Sequence, residues 1–409
     1  MKALIAGAGI GGLTAALFLN RAGIEVEILE RAEELRELGV GINILPHAVR
    51  ELAELGLLAE LERTGIATRE LIYTNRFGQT VWREPRGLAG GHAYPQVSIH
   101  RGHLLGILHR AVLDRLGPAA IRTGWTLEGF GQSADRVEIG IADRSGTFRS
   151  LSGDLLIGAD GIHSAVRAQL YPDEGPPVWN GVMLWRGCTH WSRWRDGRTM
   201  AIAGGNFAKF VFYPIAPPEE ESGLCLTNWA VMARTGEPGS PPPRREDWSR
   251  PGRLIDALAF VRDHFRLDFV DPAAIIRSTA TLFEYPNCDR DPLSAWSFGR
   301  VTLLGDAAHP MYPVGSNGAS QAIIDARSLA QHLAGTAPVE QALSAYDAER
   351  RPATEKIVLS NRKGGPERVI DLVEARAPHG FDDVETVASH AEREAVVKGY
   401  AGLAGFLTR

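Results

Sequence analysis

The chain predicts an α/β fold in which a domain built from βαβ units is interleaved with an antiparallel-sheet domain and followed by a C-terminal helix. Three observations predict it. Residues 2–29 read as strand, glycine-rich turn, helix and strand. Residues 179–234 hold three strand-like segments, around Met183, Phe212 and Leu226, dense in aromatic side chains. Residues 300–333 bring back an apolar strand that re-enters a helix. At about 150 residues per domain, a length of 409 allows two or three domains.

In chain order, residues 2–6 form a short apolar strand, 7–12 a turn, 13–21 a helix and 25–29 a second strand. Helical periodicity covers 46–62. Residues 70–74 and 80–82 alternate around a turn at 75–78, as a hairpin does. Residues 103–116 are helical, and 136–142 with 147–151 make a second hairpin ahead of the apolar strand 155–158. Five prolines and many charges between 235 and 252 read as an exposed loop. A helix at 254–265, a strand at 300–304, a helix at 319–333 and a last surface helix at 383–400 complete the chain, with no internal repeat. The expected division is 1–70, 98–171 and 275–362 in the βαβ domain, 71–97 and 172–274 in the sheet domain, and 363–409 in a C-terminal helical segment.

Composition narrows the function. Hydrophobic residues at 44% and charged residues at 23% are those of a soluble globular protein. A net charge of -5 leaves no electrostatic footprint for nucleic acid or an anionic membrane. Cys188, Cys225 and Cys288 lie far apart, which indicates neither a disulfide framework nor a zinc site, and a reducing, cytoplasmic setting is expected. The uncharged run 3–19 holds Gly7, Gly9, Gly11 and Gly12, which suit a strand and turn rather than a membrane span. No metal site is expected.

Residues 7–12 are GAGIGG, which satisfies GxGxxG right after a strand and at a helix start. Gly7 permits the sharp turn, Gly9 lets a pyrophosphate approach the backbone, and Gly12 lets helix and strand pack closely. The phosphates then meet free N–H groups at the positive end of the helix dipole. Glu30, at the end of the second strand, stands where a ribose hydroxyl needs an acceptor. A dinucleotide site of Rossmann type follows, open at this point to FAD or NAD(P).

A second strand-to-turn element, VTLLGDAAHPMYPVGSNGAS at 301–320, implies another cofactor contact. Asp306 at the strand end can accept from a polyol such as a flavin's ribityl chain, and Gly315, Asn317 and Gly318 let backbone lie against a flat ring. The helix that follows would aim its N-terminus at the ring edge that becomes anionic on reduction. A third element, GADGIHSAVR at 158–167, places Asp160 at a bend before a helix, where capping is the plainer alternative.

Together these three motifs resemble the single-component FAD-dependent aromatic hydroxylases, the family typified by p-hydroxybenzoate hydroxylase and salicylate hydroxylase. The resemblance runs from residue 2 to about 361, in the family's order and spacing. GVGINILPHAVRELAELG, SIHRG, WRGCT, DRDPL and ERRPATEKIVLSNR are most similar to its phenazine-carboxylate branch. It implies a glutathione-reductase-type FAD domain. Gly7, Gly9, Gly12 and Glu30 would then hold the ADP half of FAD, with Ile10, Gly11 and Arg31 beside them. Arg101 would contact the flavin, Asp160 would serve FAD and nicotinamide, Asp306 would bind the ribityl chain, and Pro313, Gly315, Asn317, Gly318 and Ala319 would follow the isoalloxazine. His47 departs from the family, in which many members carry asparagine.

The implied reaction is hydroxylation of an aromatic or heteroaromatic substrate, salicylate- or phenazine-like, through a flavin C4a-hydroperoxide formed from O2. NADH or NADPH would be a transient co-substrate, since no second GxGxxG opens a nicotinamide domain. Attack at a carboxylated carbon would release carbon dioxide. Met183, Trp185, Phe212, Tyr213, Trp229 and Tyr312, with Tyr285, are candidates to line the substrate pocket, although alternating aromatics also fill ordinary sheet cores. Pro313, Tyr213 and His309 are the catalytic candidates, and Arg186 could steer a carboxylate. An FAD-dependent reductase or oxidase without oxygen insertion is the alternative on the same scaffold. The oligomeric state, monomer or dimer, is left open.

Overall fold

The computed structural model describes residues 1–37 and 39–406. Its central sheet has six strands in the order Ser297–Phe298, Val301–Leu303, Leu155–Gly158, Lys2–Ala6, Glu25–Glu30 and Ile121–Thr123. All neighbours are parallel except the first pair. The inner strands are near-continuous apolar runs because helices cover the sheet: Leu4, Ile5, Ile28, Leu155 and Ile157 are fully buried. Helix Ile10–Arg21 packs between helices Arg101–Leu116 and Gly318–Leu333.

A seven-stranded sheet stands beside it, in the order Leu282–Asp289, Val178–Trp191, Cys225–Arg234, Ala208–Pro218, Thr199–Ala203, Glu70–Thr74 and Thr80–Pro85. Alternation along its strands makes two unlike faces. Met183, Trp185, Phe210, Phe212 and Trp229 pack against helices Leu254–His264 and Pro272–Arg277. Tyr73, Met200, Tyr213, Ile215 and Ala230 point the other way, toward C-terminal helix residues Val369, Ile370, Val373 and Val397. A small antiparallel sheet, Gly41–Ile44, Gln96–His100 and Ile66–Thr68, lies between the two large ones.

Several expectations need correction. The helix expected over 46–62 is two, Pro46–Glu54 and Leu58–Thr64, because Gly56 takes φ +72° between them. The large sheet runs on to Asp289, past the boundary expected at 274. Strand Thr199–Ala203 was not anticipated; it pairs parallel with Glu70–Thr74, joining the early hairpin to the later strands. The C-terminal helix is split into Val384–Val387 and His390–Leu403, the latter started by a capping box of Ser389 and Glu392. Nor is it confined to the surface, since Val397, Tyr400 and Ala401 are buried. Among the described residues no helix is long and apolar enough to cross a membrane, and none of their His, Cys, Asp and Glu side chains group as a metal site.

Candidate active site

The N-terminal turn is built for close approach. Gly7 takes φ +103°, and a side chain there would overlap the Ala159 carbonyl of the neighbouring strand's exit. A Cβ on Gly12 would fall on the Gly7 carbonyl oxygen, whereas one on Gly9 would meet nothing within 4 Å. Helix Ile10–Arg21 starts there, and its first backbone bond runs from Leu13 N to Gly9 O at 2.9 Å. The N–H groups of Ile10, Gly11 and Gly12 therefore have no acceptor within the helix, as an anion site requires. Glu30 caps the turn, accepting from Ala8 N at 2.9 Å and Ala32 N at 2.8 Å. Arg31 is exposed.

The other two motifs end beside this turn. Asp160 accepts from Ala165 N at 2.7 Å and so does cap a short helix, yet its Oδ1 is buried without a partner among the described residues. Burial raises its carboxyl above the usual range, with the hydrogen bonds opposing. Burial likewise raises Asp306, against the pull of His309 and Arg101. Arg101, itself largely enclosed, lies over the Trp248 ring at 5.8 Å. Pro313 is exposed at the tip of the following loop, while Val314, Gly315 and Asn317 are buried and Gly318 and Ala319 half-buried. Gly315 and Ser316 both take positive φ, +64° and +59°; the serine conformation is strained, of the kind that persists where surrounding structure enforces it.

His309 is anchored through one ring nitrogen, while its Nδ1 is buried with no partner among the described residues. Its Nε2 is 2.5 Å from Asp325 Oδ2, and Asp325 also accepts from Arg350 Nε at 2.8 Å, all three groups being buried. This triad fastens the 305–309 turn to helices Gly318–Leu333 and Val339–Arg362. This geometry gives His309 a structural role through Nε2.

The large sheet supplies the wall opposite the loop, but with a different set of residues from those expected. Met183, Trp185, Phe212 and Trp229 face the far core, where Trp229 Nε1 donates to Thr279 Oγ1 at 2.8 Å. Period-two alternation turns them away, and their assignment to the pocket is withdrawn. Tyr312 is buried toward Asp289 and Cys288. Tyr213, Tyr285 and Arg186 do share the near face. Arg186 donates to Gly41 O at 2.6 Å and to the Tyr285 hydroxyl at 3.3 Å, and its Nε is buried with no acceptor. Beside it Asn228 accepts from Gly41 N at 2.8 Å, leaving its Nδ2 equally unpartnered. Burial pushes the Tyr213 phenol up to about 12, despite Arg186, so it is a protonated donor at neutral pH.

Sequence reasoning missed a third wall. The proline-rich 235–252 loop is exposed along most of its length, but Trp248 stacks on Tyr285 with ring centroids 5.3 Å apart, and Glu246 is 6% exposed. His163 of the middle motif bonds the Glu246 carbonyl at 3.2 Å. Burial, then the charge of Asp306, pushes the Glu246 carboxyl up to about 8 from its ordinary 4.5. The folded protein holds a proton there that the unfolded chain releases, so stability falls as pH rises from about 4.5 toward 8. Glu246→Gln keeps the group neutral. In thermal melts of apoprotein it is expected to flatten this decline and to exceed wild type by roughly 3 kcal/mol at pH 8; melts that fall in parallel would refute the assignment.

Comparison with known proteins agrees with this geometry. The family model described as FAD binding domain matches residues 1–185 and 274–360. Over 363 residues, 88% of each chain, the sequence is 44% identical to the phenazine 1,6-dicarboxylic acid hydroxylase PhzS of Lysobacter antibioticus. The chain is an FAD-dependent aromatic hydroxylase. This hydroxylase is also 32% identical to 3-hydroxybenzoate 6-hydroxylase 1 of Aquipseudomonas alcaligenes over 372 residues, 88% of this chain and 87% of that one. Klebsiella pneumoniae HpxO, solved with FAD and uric acid, superposes with a TM-score of 0.74 at 25% identity, covering 99% of this chain and 95% of that one. The reductase or oxidase alternative is set aside, because these relatives are hydroxylases. The residues of the hydroxylase fit the cofactor: a side-chain-free cradle at Gly7 and Gly12, open space at Gly9, unpaired helix N–H groups, and the orphaned Oδ1 of Asp160.

Proposed function

We propose that this hydroxylase acts on a planar heteroaromatic acid of the phenazine type, whose carboxylate docks on Arg186. One observation carries the reading. Arg186 is a half-buried guanidinium that makes no ion pair with a carboxylate among the described residues, and its buried Nε, like the neighbouring Asn228 Nδ2, has no acceptor among them. A partly desolvated cation with an unmatched inner nitrogen suits an anionic substrate group. The phenazine dicarboxylic acid named for the 44% identical relative supports that chemistry.

The residues divide the work. Gly7–Gly12 with Glu30 would hold the ADP half of FAD, and Arg101, Asp160 and Asp306 the ribityl and flavin half. Bound FAD supplies electron storage and the activation of O2. Tyr213, as a neutral phenol, orients the substrate by donating a hydrogen bond rather than acting as a strong base. Tyr285 fixes Arg186, and Trp248, stacked on Tyr285 and under Arg101, would shield that end of the site from water. NADH or NADPH would dock transiently across the FAD domain. The three free cysteines suit a reducing cytoplasm.

Arg186→Met tests the docking. Loss of charge-assisted hydrogen bonds worth ~2–3 kcal/mol is expected to raise KM for a carboxylated phenazine by about 30- to 100-fold, with a smaller fall in kcat. A ring without the carboxylate should show no such change. Equal losses on both substrates would overturn the assignment. Stimulated NAD(P)H oxidation across a panel of aromatic acids would name the substrate.

A further inference from the structure

We propose that Tyr400, on the C-terminal helix His390–Leu403, is a positioning residue for the loop 313–317, and through that loop for the flavin ring. The proposal rests on the FAD reading above and adds to it a segment beyond the residues that the family model matches. Tyr400 is 4% exposed. Its hydroxyl accepts from Asn317 Nδ2 at 2.8 Å and donates to Asn361 Oδ1 at 2.8 Å, with the Val314 carbonyl at 3.3 Å.

Those partners bind the rest of the loop. Asn317 Nδ2 also donates to Gly315 O at 3.1 Å, Asn361 Nδ2 donates to Tyr312 O at 3.1 Å, and Gly315 N points to Glu367 at 3.4 Å. Glu367 is in turn held by the buried Lys209. The aromatic ring completes the restraint: a Cβ on Gly315 would collide with the Tyr400 ring, so the glycine sits flush against it. Gly315 and Ser316 both take positive φ in the midst of these contacts. A phenylalanine at 400 would fill the same space but leave two buried amides of Asn317 and Asn361 short of a partner.

The test is Tyr400→Phe in the full-length holoprotein. Because the pyrophosphate cradle lies elsewhere, FAD affinity should change by less than about fivefold. The visible absorption bands of the bound flavin should shift, and the share of NAD(P)H oxidised without product, released as hydrogen peroxide, should rise about fivefold, the factor matching ~1 kcal/mol of lost hydrogen bonding. Asn361→Ala should move both readouts in the same direction, and the double variant should fall short of the sum of the two, since the Tyr400–Asn361 bond is lost in each while each also loses a bond of its own. This second variant decides the matter if the first does not fold. Spectra and coupling equal to wild type, or fully additive effects, would overturn the proposal. Wild-type protein that binds no FAD would instead defeat the underlying reading.

Discussion

Gly12→Ala is expected to weaken FAD binding severely. A methyl group at this position lands on the Gly7 carbonyl oxygen. Gly7 cannot yield, because its N–H is bonded to Leu29 O at 2.7 Å and its own Cβ direction is filled by Ala159. The strain must lift the start of helix Ile10–Arg21, which is packed against helix Gly318–Leu333 and so resists. Moving those N–H groups away from the pyrophosphate should weaken FAD at least ~100-fold, about 3 kcal/mol. Gly9→Ala provides the contrast: no protein atom lies within 4 Å of its Cβ, so the apoprotein should melt as wild type while its methyl stands where the cofactor must pass. Flavin retained through gel filtration by the Gly12 variant at wild-type stoichiometry would contradict this account of the turn.

The second large effect concerns stability. Asp325→Ala leaves Arg350 and His309 buried around an empty position, and removing one member of a buried ionic group typically costs 3–5 kcal/mol. A fall in Tm of about 3–6 °C is expected for the apoprotein. Burial opposes charge on Asp325, but His309 and Arg350 overcome it and hold the carboxyl below its ordinary 3.8. Its contribution is thus present above pH 3.8 and is lost as acidification passes the lower folded value. Wild type should lose its advantage over the variant only in strong acid; a gap that closes between pH 5 and 7 would contradict this account of the carboxylate.

Much of the cofactor side was legible because its chemistry is local. The GAGIGG turn, Glu30 and the GD strand end each declare themselves within a few residues, since they need glycine or an acid at a fixed step from a strand. The substrate side was not legible, because register decides it. Trp185 and Arg186 are neighbours in sequence, yet one lies in a core and the other reaches Gly41 from the opposite face, and nothing local says which parity faces inward. Trp248 escaped notice because prolines and charges around it carry the signature of a solvated loop. Helix Val339–Arg362 was hidden by Pro352 in its interior and by charges on most of its surface; what it buries is a stripe including Leu343, Tyr346, Ile357 and Val358. Arg368–Arg376 has a similarly thin buried stripe, Val369, Ile370 and Val373.

The order of the central sheet bears on how the protein is made. Leu155–Gly158 has Lys2–Ala6 on one flank and Val301–Leu303 on the other, so a chain emerging from the ribosome must expose that flank until some 140 further residues have been synthesised. Glu70–Thr74 waits in the same way for Thr199–Ala203. Expression at lower temperature, or with a holdase present, should therefore favour recovery of native enzyme over aggregates.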